Sequence, residues 1–121
     1  MRASVLHTKS VSFAIRIINL YKYLIAEKKE FVLSKQLLRS GTAVGAMISE
    51  AQFAQTKPDF ITKLHIAVKE ANEATYWLYL MYKTDYILEA EYCSLKIDCD
   101  ELLKLLTASL KIAKSNINQK E

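Results

Sequence analysis

The chain has 121 residues, the length of one ordinary domain, and is 51% hydrophobic against 25% charged. That excludes a disordered chain and supplies a core without disulfide or metal staples. Two glycines and one proline cannot punctuate an all-β fold, which needs turn residues about every 8–12 positions, so a few long helices are expected. The net charge of +4 is mildly basic and unevenly spread: residues 1–56 carry 8 Lys/Arg and 3 Asp/Glu, residues 57–121 carry 9 and 10.

Helix one is expected over about residues 8–29. Ala14, Ile17, Ile18, Tyr21, Leu24 and Ile25 repeat at three and four as one apolar stripe, flanked by Phe13 and Leu20. Its cations, Arg2, Lys9, Arg16, Lys22, Lys28 and Lys29, suit either a phosphate-facing surface or a solvated face whose last lysines complement the helix dipole. Helix two is expected over about residues 34–55, with Ser34 as N-cap before Leu37, Leu38, Val44, Met47 and Ile48. It holds both glycines, in "RSGTAVGAMISEAQ". Gly41, Gly45 and Ser49 fall on one line of small residues, which permits close packing either inside the bundle or against another subunit.

Helix three is expected over about residues 58–84. Pro58 and Asp59 sit in its first turn, where a missing N–H costs nothing and the dipole favours an acid. The short link makes helices two and three antiparallel neighbours. Phe60, Leu64, Ala67, Val68, Ala71, Thr75, Leu78 and Met81 form the stripe expected to be buried, with Lys63, Lys69, Glu70 and Glu73 near its edges. The aromatic run "YWLYLMY", Tyr76 to Tyr82, spans almost two turns, so some rings must leave that stripe and fill the rim, meet a partner or stack on bases. Helix four is expected over about residues 89–115, carried by Leu95, Leu102, Leu105, Leu106, Leu110 and Ile112, with "NINQKE" as a frayed tail. Four such helices with short connections make a single all-α domain, an antiparallel up-down-up-down four-helix bundle.

The sequence offers little for chemistry. Neither His7 nor His65 has a glutamate three residues before it, so the helical di-metal pattern is missing and no metal site or cofactor is expected. Cys93 and Cys99 lie six apart in one helix, roughly 9 Å of rise, too far for a disulfide. They read as free thiols in a reducing cytoplasm. There is no phosphate-cradling glycine loop and no nucleophile–base pair in sequence, so no catalytic residue is assigned. The start, "MRASVLHTKS", lacks a signal-peptide apolar region. The longest uncharged run, Ser40 to Ser49, is half the length of a membrane span, so no membrane role is expected.

The stretch "QLLRSGTAVGAMISEAQFAQTKPDFITKLHIAVKEANEATYWLYLM" resembles the signature of the four-helix bundle family of intervening-sequence proteins, some of them encoded within intervening sequences of bacterial large-subunit ribosomal RNA genes. The resemblance rests on Gln36-Leu37-Leu38-Arg39-Ser40, Gly45-Ala46, Glu50-Ala51, Asp59-Phe60, Lys69-Glu70-Ala71 and Tyr76-Trp77-Leu78. Met47 departs from it, standing where members usually have asparagine. The resemblance implies an antiparallel bundle, rings of five and no established catalysis. A more distant similarity is to the accessory protein of diversity-generating retroelements, a more basic pentamer that binds reverse transcriptase and nucleic acid.

Two readings follow. One is a non-enzymatic, self-associating scaffold, a homo-pentamer, that contacts RNA or a ribonucleoprotein. Lys9, Arg16, Lys22, Lys28, Lys29 and Arg39 would meet phosphates, and Gly41, Gly45, Ser49, Glu50, Lys69, Glu70, Tyr76 and Trp77 would serve helix packing or subunit contacts. The other is a protein–protein adaptor with no nucleic-acid role.

Overall fold

The computed structural model describes the backbone of residues 2–120 and the side chains of residues 5–116. Four helices follow one another: α1 (Arg2–Ala26), α2 (Leu33–Gln52), α3 (Lys57–Lys83) and α4 (Glu89–Lys120). Each packs against its chain neighbours, and α4 closes the ring against α1. The cross-helix pairs run in opposite senses. Ser10 meets Gly45 and Ile17 meets Gly41, Arg39 reaches Glu70 while Glu50 reaches Lys63, and Lys9 reaches Glu101 while Arg16 reaches Asp98. The bundle is therefore antiparallel throughout, as the short links require.

Its core is a column of large side chains from all four helices, among them Phe13, Ile17, Leu24, Leu37, Ile48, Leu64, Leu78, Met81, Leu102 and Leu106. The stripe on α1 is rotated from the expected one. Leu6, Phe13, Ile17, Leu20 and Leu24 are buried, whereas Ile18 is 37% exposed and Ala14, Tyr21 and Ile25 are half-buried. Apolar residues surround this helix, and periodicity alone does not choose their phase. On α3 the unforeseen core residue is Ala74, and Phe60, Val68 and Thr75 are half-buried. On α4, Cys99 and Ala113 are buried, Leu105 is half-buried and Ile112 is exposed.

The helix ends also differ from expectation. Ser34 does not cap α2. The cap is Glu30, whose carboxylate accepts from the backbone N–H groups of Val32, Leu33 and Ser34 at 3.1, 2.9 and 2.6 Å, while the Ser34 hydroxyl donates back to the Glu30 carbonyl at 2.7 Å. One ionised side chain thus satisfies three of the four orphan donors of the helix start. Burial pushes the Glu30 carboxyl up, but these donors outweigh it and hold it below the usual glutamate value. Thr56 caps α3 by accepting from the Asp59 N–H at 3.2 Å, with Pro58 in the first turn. At its other end Asp85 takes a left-handed conformation, φ 69°, and the Tyr86 N–H donates to the Met81 carbonyl at 2.9 Å, a Schellman closure. α4 continues to Lys120, because "NINQK" has neither glycine nor proline to stop it.

Candidate functional site

Both glycines lie against α1. A Cβ at Gly41 would stand 2.8 Å from both γ carbons of Ile17, and one at Gly45 would stand 3.2 Å from the Ser10 hydroxyl. The bare backbone lets the two helices approach closely. Ser49 is half-buried on the same helix, and Met47, the departure from the family signature, packs against the core.

Of the α2–α3 signature residues, Arg39, Glu70, Trp77 and Tyr76 meet in one network around Glu73, while Glu50 pairs elsewhere and Lys69 is exposed. Arg39 reaches across from α2, with Nη1 donating to Glu70 at 3.2 and 3.3 Å and Nη2 to Glu73. The Trp77 indole N–H donates to Glu73 at 3.1 Å. These two donors, Trp77 foremost, hold the Glu73 carboxyl below the usual carboxylate range. The hydrogen bond from Arg39 to Glu73, with help from Glu70, holds the guanidinium proton tighter than usual. Tyr76 meets Trp77 edge-on, ring centroids 5.1 Å apart. Towards the far end of α2, Lys63 Nζ pairs with Glu50 at 3.0 Å.

The six candidate phosphate contacts divide. Lys9 pairs with Glu101 at 3.1 Å. Arg16 pairs with Asp98 at 2.6 Å and also donates to Ser94. Arg39 is held by its two glutamates. Lys22, Lys28 and Lys29 are exposed and have no ion-pair partner among the described residues. α1 ends at Ala26, so Lys28 and Lys29 stand in the turn to α2, with Lys29 at φ 53°. The Arg2 side chain lies outside the described residues. Sequence spacing gave no sign that Lys9, Arg16 and Arg39 would meet carboxylates, since each partner is on another helix. The Glu73–Trp77 pair, at i and i+4, was available from spacing alone.

Cys99 is buried between α3 and α4. Its thiol donates to the Ala71 carbonyl at 3.3 Å and lies 3.3 Å from the Thr75 hydroxyl, and burial pushes it up despite the Thr75 contact. Cys93 is exposed. Among the described residues no group of His, Cys, Asp and Glu is placed to hold a metal ion, and no helix is long and apolar enough to cross a membrane. An apolar cavity of about 250 Å³ opens at one end of the bundle, between Leu6, Ile48, Ala51, Phe60, Leu64 and Ile112. Gln52, Lys57, Ser109 and Asn116 add polar groups to its lining.

Fold and site together define an antiparallel four-helix bundle with paired surface charges and a polar α2–α3 network. The family model for the 23S rRNA-intervening sequence protein matches residues 3–108. The chain belongs to that family. It is similar to a solved structure from Bacteroides thetaiotaomicron, described as a protein with unknown function from the S23 ribosomal protein family. The two share 54% identity over 92% of this chain and 99% of that one, with a TM-score of 0.91. No curated protein matches the chain.

Proposed function

We propose that this protein is a non-enzymatic cytoplasmic scaffold that assembles into rings of five and contacts RNA, or a ribonucleoprotein, through phosphates. The observation that carries the RNA contact is the division among the cations. Lys22, near the end of α1, and Lys28 and Lys29, in the turn that follows, are exposed and have no ion-pair partner among the described residues, which leaves their charge for a ligand. Lys9, Arg16 and Arg39 spend theirs on internal ion pairs and contribute less. Phosphate contacts of this kind position a ligand without reading its sequence. Self-association is supported by Val11, Ile15 and Ile18, an uncovered apolar strip at i, i+4 and i+7 on α1, exposed by 41, 53 and 37%.

Light scattering on a sizing column, with and without bacterial RNA at low and moderate salt, tests both parts. The expected result is a particle near five times 13.8 kDa that takes up RNA at low salt and releases it as salt rises. A K22A/K28A/K29A variant should lose most of that uptake. A monomer that ignores RNA overturns the proposal, and a triple variant that binds like the parent overturns the assignment of the lysines.

A further inference from the structure

The solvent face of α3 carries a second, differently built surface. His65, Lys69, Asn72, Tyr76, Tyr79 and Lys83 follow one another at steps of four and three, so they share one line along the helix. All six are exposed. The line is about 27 Å long, holds no carboxylate, and has lysines around a pair of tyrosines. Beside its His65 end a groove of about 440 Å³ separates α3 from α4, floored by Val68 and Leu110 and edged by Lys111 and Lys114. Neither of those lysines, nor Lys69, pairs with an acid among the described residues.

Both rings are braced from behind. Tyr76, 55% exposed, rests edge-on against Trp77, whose indole is tied to Glu73 and through it to Arg39. Tyr79, 44% exposed, leans on Tyr92 at 5.8 Å and Tyr82 at 6.4 Å, themselves stacked at 5.3 Å and 12°. The Lys83 ammonium sits over both the Tyr82 and Tyr79 rings, 5.5 and 5.9 Å from their centres, so a base stacking on Tyr79 must displace it towards the phosphate. Exposed aromatic rings held between cations that have no acid partner are the elements that bind single-stranded nucleic acid: the cations meet phosphates and the rings stack on unpaired bases.

We infer that the outer face of α3 is a binding track for single-stranded RNA, with Tyr76 and Tyr79 as stacking platforms, Lys69 and Lys83 as phosphate contacts, and Trp77, Glu73 and Arg39 as positioning residues behind Tyr76. This rests on the RNA-contacting reading and adds to it a preference for unpaired strands, which the lysines of the α1–α2 turn alone do not supply.

The test uses the full-length protein and fluorescence anisotropy with two labelled probes at low salt, a twelve-nucleotide oligouridylate and a twelve-base-pair RNA duplex. Y76A/Y79A should lose at least tenfold in affinity for the oligouridylate and less than twofold for the duplex, with its circular-dichroism melt showing that it folds. Y76F/Y79F, which keeps both rings, should bind like the parent. K69A/K83A should flatten the salt dependence for the single strand by about 0.7 per lysine removed. Oligouridylate binding by Y76A/Y79A within twofold of the parent overturns the track, and so does a parent that binds only duplex. In either case the broader reading stands if K22A/K28A/K29A loses RNA binding. A parent that binds neither probe overturns both.

Discussion

Replacing Gly41 with alanine separates close packing from helix propensity. In a helix interior the change alone should stabilise by about 1 kcal/mol. Here the new methyl would stand 2.8 Å from two carbons of Ile17, roughly 1 Å inside an ordinary carbon–carbon contact. Ile17 is 0% exposed and β-branched, so its χ1 has one strongly preferred helical rotamer and nowhere to turn. Overpacking of this kind costs about 1–3 kcal/mol, and a rigid neighbour puts it in the upper half of that range. The net expectation is a loss of about 1–2 kcal/mol. At a urea m-value of about 2 kcal/mol/M, the midpoint falls by about 0.5–1 M, compared at equal protomer concentration because association would otherwise shift it. Gly45→Ala is the control. Its methyl would meet the Ser10 hydroxyl at 3.2 Å, which needs a shift of only a few tenths of an ångström from a buried hydroxyl bound to the His7 carbonyl, so the variant should lose less than Gly41→Ala and stay within about 1 kcal/mol of the parent. In an I17A background, where both γ carbons are gone, G41A should become stabilising. A G41A midpoint equal to or above the parent's, or additive effects of G41A and I17A, would refute the close-packing account.

Glu30→Gln removes the charge that caps α2 and should cost about 1–2 kcal/mol at neutral pH. Because the folded-state carboxyl is held below its ordinary value, the charged cap contributes fully above the ordinary glutamate range of the unfolded chain and is lost as pH falls through the lower folded-state value. Urea midpoints of parent and variant should therefore converge on acidification from pH 6 to pH 3, and a gap that stays constant over that range would exclude an ionised cap. The two thiols should differ sharply in reactivity: a maleimide modifies Cys93 in the native protein and Cys99 only after unfolding, because Cys99 is buried and its thiolate disfavoured. Mass spectrometry of a native time course checks this, and equal labelling of both would contradict the placement of α4.

Helix number, order and direction were legible because each rests on local chemistry: Pro58 and Asp59 at a helix start, small residues along α2, leucines at helical spacing along α4. The phase of α1 was not. Val11, Phe13, Ile15, Ile17, Ile18, Leu20 and Tyr21 surround that helix, and only the neighbours decide that Phe13 and Leu20 go inside while Ile15 and Ile18 stay out. The cap by Glu30 escaped for a related reason. The usual signal is a short polar side chain at the N-cap itself, whereas here a longer acid reaches forward from a loop whose preceding residue, Lys29, takes a left-handed turn. The α3 track was half visible. The aromatic run declared itself, but its two outward rings could be told from Trp77, Leu78 and Met81 only once the buried face of α3 was known.

The division of surface charge bears directly on function. By count, the N-terminal half of the chain is the basic half, which directs attention to α1 and α2. Folding changes this. α4 supplies Asp98 and Glu101 to neutralise Arg16 and Lys9, and α3 supplies Glu70 and Glu73 to Arg39, so much of that excess is consumed inside the bundle surface. Lysines with no acid partner among the described residues include Lys22, Lys28 and Lys29 around the α1–α2 turn, and Lys69, Lys111 and Lys114 on the α3–α4 side. The Arg39 network is partly exposed, with half of the Arg39 side chain in solvent. Single exposed ion pairs contribute about 0–1 kcal/mol, and a network such as Arg39 with Glu70 and Glu73 contributes more. What the network also accomplishes is geometric: Arg39 orients Glu73, Glu73 holds the indole of Trp77, and Trp77 braces the exposed ring of Tyr76. A ring braced before a ligand arrives loses less entropy on binding, so under the proposed single-strand track an R39A variant should weaken oligouridylate binding while leaving the duplex unaffected, and equal loss for both probes would refute that link.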